Sequence, residues 1–206
     1  FEALGIPQAP MRFVPTPEEA PEGAAEIGYP VAVKIVSADL IHKTEAGGVV
    51  LGVEDNVGVN AATELIRRRI AVDNPDAAVK GFLLQRMESG LTEVLLGYRV
   101  DSLVGPTVVL GMGGVLAEIY KDASLRLAPI SLTEAHEMIE EVSGLAMIRG
   151  YRSMPKGDLD GLADAIVAMS KLALVEGPTV VEAEVNPVIV KHDSIVGVDG
   201  LVIIDT

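Results

Sequence analysis

Short runs of β-branched and other aliphatic residues, each closed off by glycine or proline, recur along almost the whole chain. They occupy residues 31–36, 49–53, 81–87, 91–100, 107–110, 179–185, 188–190, 195–198 and 201–204. Runs of this length and composition fit strands rather than helices. Helical patterning appears only between groups of them. Residues 57–72 put Leu65, Ile66 and Ile70 on one side, with Arg67, Arg68 and Arg69 wrapping the other as a solvated face. Ser131-Leu132-Thr133-Glu134 is a capping box opening a helix to about residue 142, and a longer helix spans 159–175, stopped by Gly177-Pro178. Thr16-Pro17-Glu18-Glu19 reads as another helix start, with Pro21 limiting its reach, and residues 1–6 read as the tail of a helix. Residues 81–87, 91–100 and 107–110 read as successive antiparallel strands separated by Ser89-Gly90 and Gly105-Pro106. The expected class is therefore a β-rich α/β (α+β) protein. There is no internal repeat and no low-complexity segment.

Composition narrows the function classes. The 206 residues suit one large domain or two tight lobes. Aromatics are 3% of a chain that is 49% hydrophobic, so the core must be aliphatic. A net charge of −14 argues against general binding to nucleic acid or anionic membrane, which needs clustered positive charge. The absence of cysteine removes disulfides, thiolate catalysis and Cys-type zinc sites. No apolar run approaches the roughly 20 residues of a spanning helix, and no signal peptide is visible at the start, so the expectation is a soluble cytoplasmic protein with no membrane segment.

Three segments carry candidate chemistry. Lys34 sits mid-strand among apolar neighbours, where an unpaired ammonium is costly; it either points into a cleft to meet phosphate oxygens or lies on a solvent face. His42, Lys43 and the pair Gly47-Gly48 follow, and glycines let backbone N–H groups turn toward an anion, although many such pairs are plain turns. Gly111-Met112-Gly113-Gly114, followed by Glu118, Asp122 and Arg126, is no dinucleotide fingerprint, because Leu116 stands where a third glycine belongs, and a tight bend between strands explains it equally well. Finally, Glu182, Glu184 and Asn186 alternate along one strand, with Asp199 after the next turn. Two carboxylates, an amide carbonyl and a further Asp make a hard-oxygen set suited to Mg²⁺ with a bound polyphosphate, which an apolar strand ending in Asn-Pro favours over a merely polar outer face. Together these ask for nucleotide phosphoryl transfer.

The residues resemble a known family. Gly28-Tyr-Pro-Val-Ala-Val-Lys34, His42-Lys43-Thr44, Gly47-Gly48-Val49, Glu93-Val-Leu-Leu-Gly97, Gly111-Met-Gly-Gly114, Lys121-Asp122, Arg126-Leu-Ala-Pro129 and Glu184-Val-Asn186-Pro187 are similar, in order, to the motifs of the ATP-grasp domain of ADP-forming acyl-CoA synthetases. This is the β-subunit-type domain of acetate–CoA ligase, related to the succinyl-CoA synthetase β subunit. The resemblance implies two lobes of mostly antiparallel sheet with flanking helices, about 20–100 and 101–206, binding ATP/ADP and Mg²⁺. It implies that Lys34, Lys43, Gly47 and Gly48 lie at the phosphates. Gln85, Arg86 and Met87 would form a hinge beside adenine, with Glu93 and Arg126 at the nucleotide. Glu184, Asn186 and Asp199 would hold Mg²⁺, and His42 would receive the phosphoryl group, a role open to a neutral imidazole near pH 7. His136 and His192 read as surface residues.

One position departs from the family: Arg86 stands where the hinge usually carries a glutamate able to contact ribose hydroxyls. The full enzyme also needs CoA-binding and ligase domains, so the chain is expected to be a subunit or an excised domain that is incomplete alone. The competing expectation is a non-catalytic nucleotide-binding module of a larger acyl-CoA-linked protein, such as an acyltransferase fusion.

Overall fold

In the computed structural model, which describes residues 1–40, 43–44, 46–113, 122–150, 152, 154–177 and 179–205, the strands fall into two antiparallel sheets, each with its own helices and core. The first belongs to a compact unit, Ala9–Met87. Its elements are β1 (Met11–Val14), α1 (Ala20–Ile27), β2 (Val31–Ser37), β3 (Val49–Val53), α2 (Asn56–Asp73) and β4 (Val79–Arg86), with sheet order β1-β4-β2-β3. Pro21 falls in the first turn of α1, where no backbone donor is needed. Asp55 caps α2 by accepting from the Gly58 N–H at 2.7 Å. Both helices cover one face of the sheet: Val31, Val33, Ile35, Phe82 and Leu84 pack with Ala20, Ala24, Val59, Ile66 and Ile70. Strand alternation then assigns Ala32, Lys34 and Gln85 to the other face.

The second unit joins Phe1–Gln8 to Glu88–Thr206. It contains β5 (Thr92–Asp101), β6 (Gly105–Met112), β7 (Ala123–Leu127), α3 (Leu132–Glu141), α4 (Leu159–Ser170), β8 (Thr179–Val190), β9 (Ile195–Gly197) and β10 (Gly200–Asp205). Sheet order is β10-β8-β5-β6-β7, with β9 also on β8. Val94, Leu96, Tyr98, Val108, Leu110, Ala183 and Val185 form the sheet side of its core, and Met138, Ile139, Leu162, Ile166 and Met169 the helix side. The capping box at Ser131 and Glu134 is formed in both directions. None of the helices among the described residues is long and apolar enough to cross a membrane.

Three expectations are corrected. Residues 81–87 and 91–100 do not pair: β4 lies in the first sheet and β5 in the second, because the Met87 N–H donates to Pro30 O and the Leu91 N–H to Val190 O, both at 2.8 Å. Residues 179–185 and 188–190 are one strand, β8. It runs through Asn186-Pro187 at a register shift where its partner changes from β10 to β9, so the proline needs no ladder donor. Residues 1–6 hold only a short 3₁₀ turn, Glu2–Leu4, ended by Gly5 at φ 81°.

Candidate functional site

Lys34 is 6% exposed, and its Nζ donates to Gln85 Oε1 at 2.8 Å; Gln85 is 2% exposed. Both side chains sit on the face of the first sheet turned away from its helices, since Gln85 is in register with Ala32. Val49 is opposite Lys34, so Gly48 begins the loop one residue beyond that pair, and the Ile35 N–H donates to Gly48 O at 2.8 Å. The fold thus sets Lys43, Gly47 and Gly48 at one end of the sheet, next to the strand positions just after Lys34, while Gln85 reaches Lys34 from the direction of the other end. His42 lies outside the described residues.

The two glycines work differently from the expectation that their N–H groups turn toward an anion. The Gly48 N–H donates to Lys43 O at 2.7 Å and the Gly47 N–H to Thr44 O at 3.1 Å, so both donors close the loop on itself. What the loop demands is space. A Cβ on Gly48 would stand 2.5 Å from Ile35 Cγ2, and Gly47 has φ 70° with the Arg69 stem beneath it, its Cδ 3.0 Å from where a Cβ would lie. Of the three arginines, Arg68 ion-pairs with Glu64 one turn away at 2.7 Å, an ordinary solvated helix contact.

The hinge residues divide between the two faces of β4. Arg86 is in register with Val31, on the helix side, opposite in sense to Gln85. Its N–H donates to Pro10 O at 2.8 Å, and Met87 Sδ accepts from the Gly52 N–H at 2.9 Å.

In the second unit, Glu93, Gly97 and Glu184 share the sheet face opposite the core, because Val94, Leu96, Ala183 and Val185 take the inner positions. Gly97 is directly opposite Glu184 and carries no side chain to cover it. Asn186 follows on β8, exposed, and its N–H donates to Asp199 O at 2.9 Å, which sets Asp199 beside it just before β10. Among the described residues no group of three His, Cys, Asp or Glu side chains converges as a metal cage. The donor set is two carboxylates and an amide. Mg²⁺ is held by one or two carboxylates, with waters and substrate phosphates filling its shell, so the set fits that ion.

Gly111-Met112-Gly113 is no tight bend. Gly111 and Met112 complete β6, and the Gly113 N–H donates to Glu93 O at 2.8 Å, where a Cβ would come within 2.9 Å of the Glu93 carbonyl carbon. Gly114 and Lys121 lie outside the described residues. Asp122 accepts from the Ser143 and Gly144 N–H groups at 2.9 and 2.6 Å and so orders the turn after α3.

Arg126 does not join Glu93 and Glu184. It is in register with Val108, on the helix side of β7, and is ion-paired with Glu141 of α3, which also accepts from Ser124 Oγ at 2.6 Å. The Arg126 and Ser124 hydrogen bonds hold the Glu141 carboxyl below its ordinary value of 4.5. A depressed folded-state pKa means stabilisation that is complete above the unfolded value and lost as pH falls through the folded one. Glu141→Gln is therefore expected to lower the melting temperature at pH 6, with the difference from wild type closing as the pH falls below the ordinary carboxylate value of 4.5. A constant difference across that range in melting curves would refute the pairing. His136, near Asp160 at 3.7 Å, and His192, beside Lys156 O at 3.0 Å, are outlying surface contacts.

Comparison with known proteins adds an independent line. A family model described as an ATP-grasp domain matches residues 1–204. The acetate–CoA ligase [ADP-forming] I of Archaeoglobus fulgidus is 41% identical over 188 residues, covering 91% of this chain and 27% of that protein. The acetate–CoA ligase [ADP-forming] I subunit beta of Pyrococcus furiosus is 38% identical over 204 residues, covering 99% of this chain and 88% of that subunit. The chain thus spans about a quarter of the first relative's length and most of the second's. Among solved structures, the dinucleotide-forming acetyl-coenzyme A synthetase 1 of Ca. Korarchaeum cryptofilum, in complex with coenzyme A, Ca-AMPCP and HgCl⁺, superposes with a TM-score of 0.92 at 33% identity, covering 99% of this chain and 89% of that one. The same protein with coenzyme A and Mg-AMPPCP, its phosphohistidine segment pointing towards the nucleotide binding site, superposes with a TM-score of 0.83 at 32% identity, covering 99% and 88%.

Proposed function

The chain belongs to the ATP-grasp family, and from that premise we propose that it is the Mg-nucleotide-binding part of an ADP-forming acyl-CoA synthetase, moving a phosphoryl group between a phosphohistidine and ADP/ATP. The observation that carries this reading is the buried Lys34 ammonium, which donates to Gln85 and neighbours the glycine loop on the sheet face opposite the helices described in its unit. A compact cation in that setting is what a phosphate requires. The relatives' nucleotide-analogue complexes support the same ligand.

On this reading Lys34 neutralises phosphate charge, with Lys43 and the close-packed Gly47-Gly48 loop beside it. Glu184, Asn186 and Asp199 would hold Mg²⁺, and Glu93 faces the nucleotide. The metal, when bound, offsets charge on the phosphate oxygens. A terminal oxygen of ADP displaces the imidazole nitrogen from phosphorus, forming the P–O bond of ATP as the P–N bond breaks; His42 is the residue proposed to carry the phosphoryl group. CoA-binding and ligase domains, as a separate subunit or fused segments, would supply the acyl chemistry, and the chain would work in the cytoplasm. Arg86 falls on the helix side of β4, the face opposite to that of Lys34 and Gln85, which supports the catalytic reading over the non-catalytic one.

Calorimetric titration with Mg-ADP and Mg-ATP tests the reading. The wild type is expected to bind both, and Glu184→Gln to bind them about tenfold more weakly with Mg²⁺ present but equally in EDTA, since only the metal-mediated contact is lost. Absence of binding at millimolar nucleotide overturns the proposal. Incubation with Mg-ATP should also leave an acid-labile phosphate that His42→Ala lacks.

A further inference from the structure

We infer that Gln85 is a positioning residue for Lys34, and that its lack of charge matters as much as its oxygen. This rests on the reading that Lys34 meets nucleotide phosphate. The resemblance to known hinges implies a place for Gln85 beside adenine; in the structure its Oε1 accepts from Lys34 Nζ, the cation proposed to meet phosphate.

The geometry is specific. Lys34 stands in the middle of β2 and Gln85 near the end of β4, two neighbouring strands whose register sets Ala32 opposite Gln85 and Leu83 opposite Lys34. The two side chains are therefore diagonal neighbours on one face, close enough to touch across the ladder. Both are almost fully buried, and the Nζ–Oε1 distance is 2.8 Å. A buried ammonium needs acceptors, and an acceptor on a strand flanked on both sides by others fixes its direction better than one on a loop.

The type of acceptor decides what the lysine can do next. An amide oxygen takes one of the three ammonium protons and orients the group while adding no charge. A carboxylate in the same place, differing only by NH₂ replaced with O⁻, would form a charge-assisted contact that competes directly with an incoming phosphate. Gln85 thus directs the cation without adding a charge of its own.

The test compares wild type, Gln85→Glu and Gln85→Met in binding to Mg-ATP, to tripolyphosphate with Mg²⁺, and to adenosine, with a melting curve for each. Gln85→Glu is expected to weaken Mg-ATP and tripolyphosphate about ten- to a hundredfold, with adenosine unchanged and no loss of melting temperature. A variant that only damages packing would lower all three affinities and the melting temperature together, and that result overturns the inference. So does loss confined to adenosine, which would return Gln85 to the base, or affinities for all three ligands unchanged from wild type. If Gln85→Glu fails to fold, Gln85→Met decides the matter. It removes the acceptor, is expected to weaken the two phosphate ligands and spare adenosine, and overturns the inference if it does not. Wild type that binds none of the three overturns the nucleotide reading itself, and this inference with it.

Discussion

Lys34→Met is expected to weaken Mg-ATP binding about ten- to a hundredfold while leaving the melting temperature within about 5 °C of the wild type. The first part follows from loss of a charge-assisted contact to phosphate in a largely desolvated setting, where one such contact contributes about 1.5–3 kcal/mol and organises its neighbours. The second follows from two opposing changes of similar size. Methionine fills the volume of the lysine stem and relieves the burial of an ammonium that is 6% exposed. Against that, Gln85 Oε1 loses the donor that now sits 2.8 Å away, a cost of about 1–3 kcal/mol for a buried acceptor. Calorimetry and a melting curve on the same preparation check both halves. Retained nucleotide affinity would show that the buried cation is structural and would remove the main support for the proposed function.

Leu96→Ala is expected to have the opposite profile, a loss of about 3–5 kcal/mol of stability. Leu96 is fully buried on β5, the strand that lies between β6 and β8 and packs on the helices of its unit. Its neighbours there are Val, Ile, Leu, Met and Ala side chains fixed in a sheet and two helices, so the vacated space cannot close. A drop of about 10–20 °C in the melting transition is the expected reading. A drop under about 3 °C would mean that this core relaxes far more than its regular packing implies.

Much of this architecture is legible one strand at a time. β2, β3, β5 and β10 announce themselves as β-branched runs bounded by glycine or proline, and Ser131 and Glu134 mark the start of α3 because a capping box is purely local. What stays hidden is any property set by a partner distant in sequence. Nothing between residues 86 and 91 indicates that the chain leaves one sheet for another. The bond between Lys34 and Gln85 joins residues 51 apart, so a sequence reading could see a strained lysine and not the amide that answers it. Arg126 misleads for the same reason: Glu141, fifteen residues on, holds it on the helix side. The glycine loop misleads differently, because Gly47 and Gly48 occur in the expected place while their N–H groups are already engaged within the loop.

The strict alternation along β2 has a consequence for how such a chain can change over time. Val33 and Ile35 hold the fold together, while Lys34 between them faces the other way and bears on the proposed ligand. Neighbouring codons therefore answer to different selective demands. A point substitution on the face of Lys34 bears on the proposed ligand and leaves the aliphatic core between sheet and helices in place. Deletion of one residue within β2 exchanges the two sets at once: it turns the lysine into the aliphatic core and a valine or isoleucine toward the ligand. Drift by substitution is open to this strand, and drift by single-residue insertion or deletion is closed.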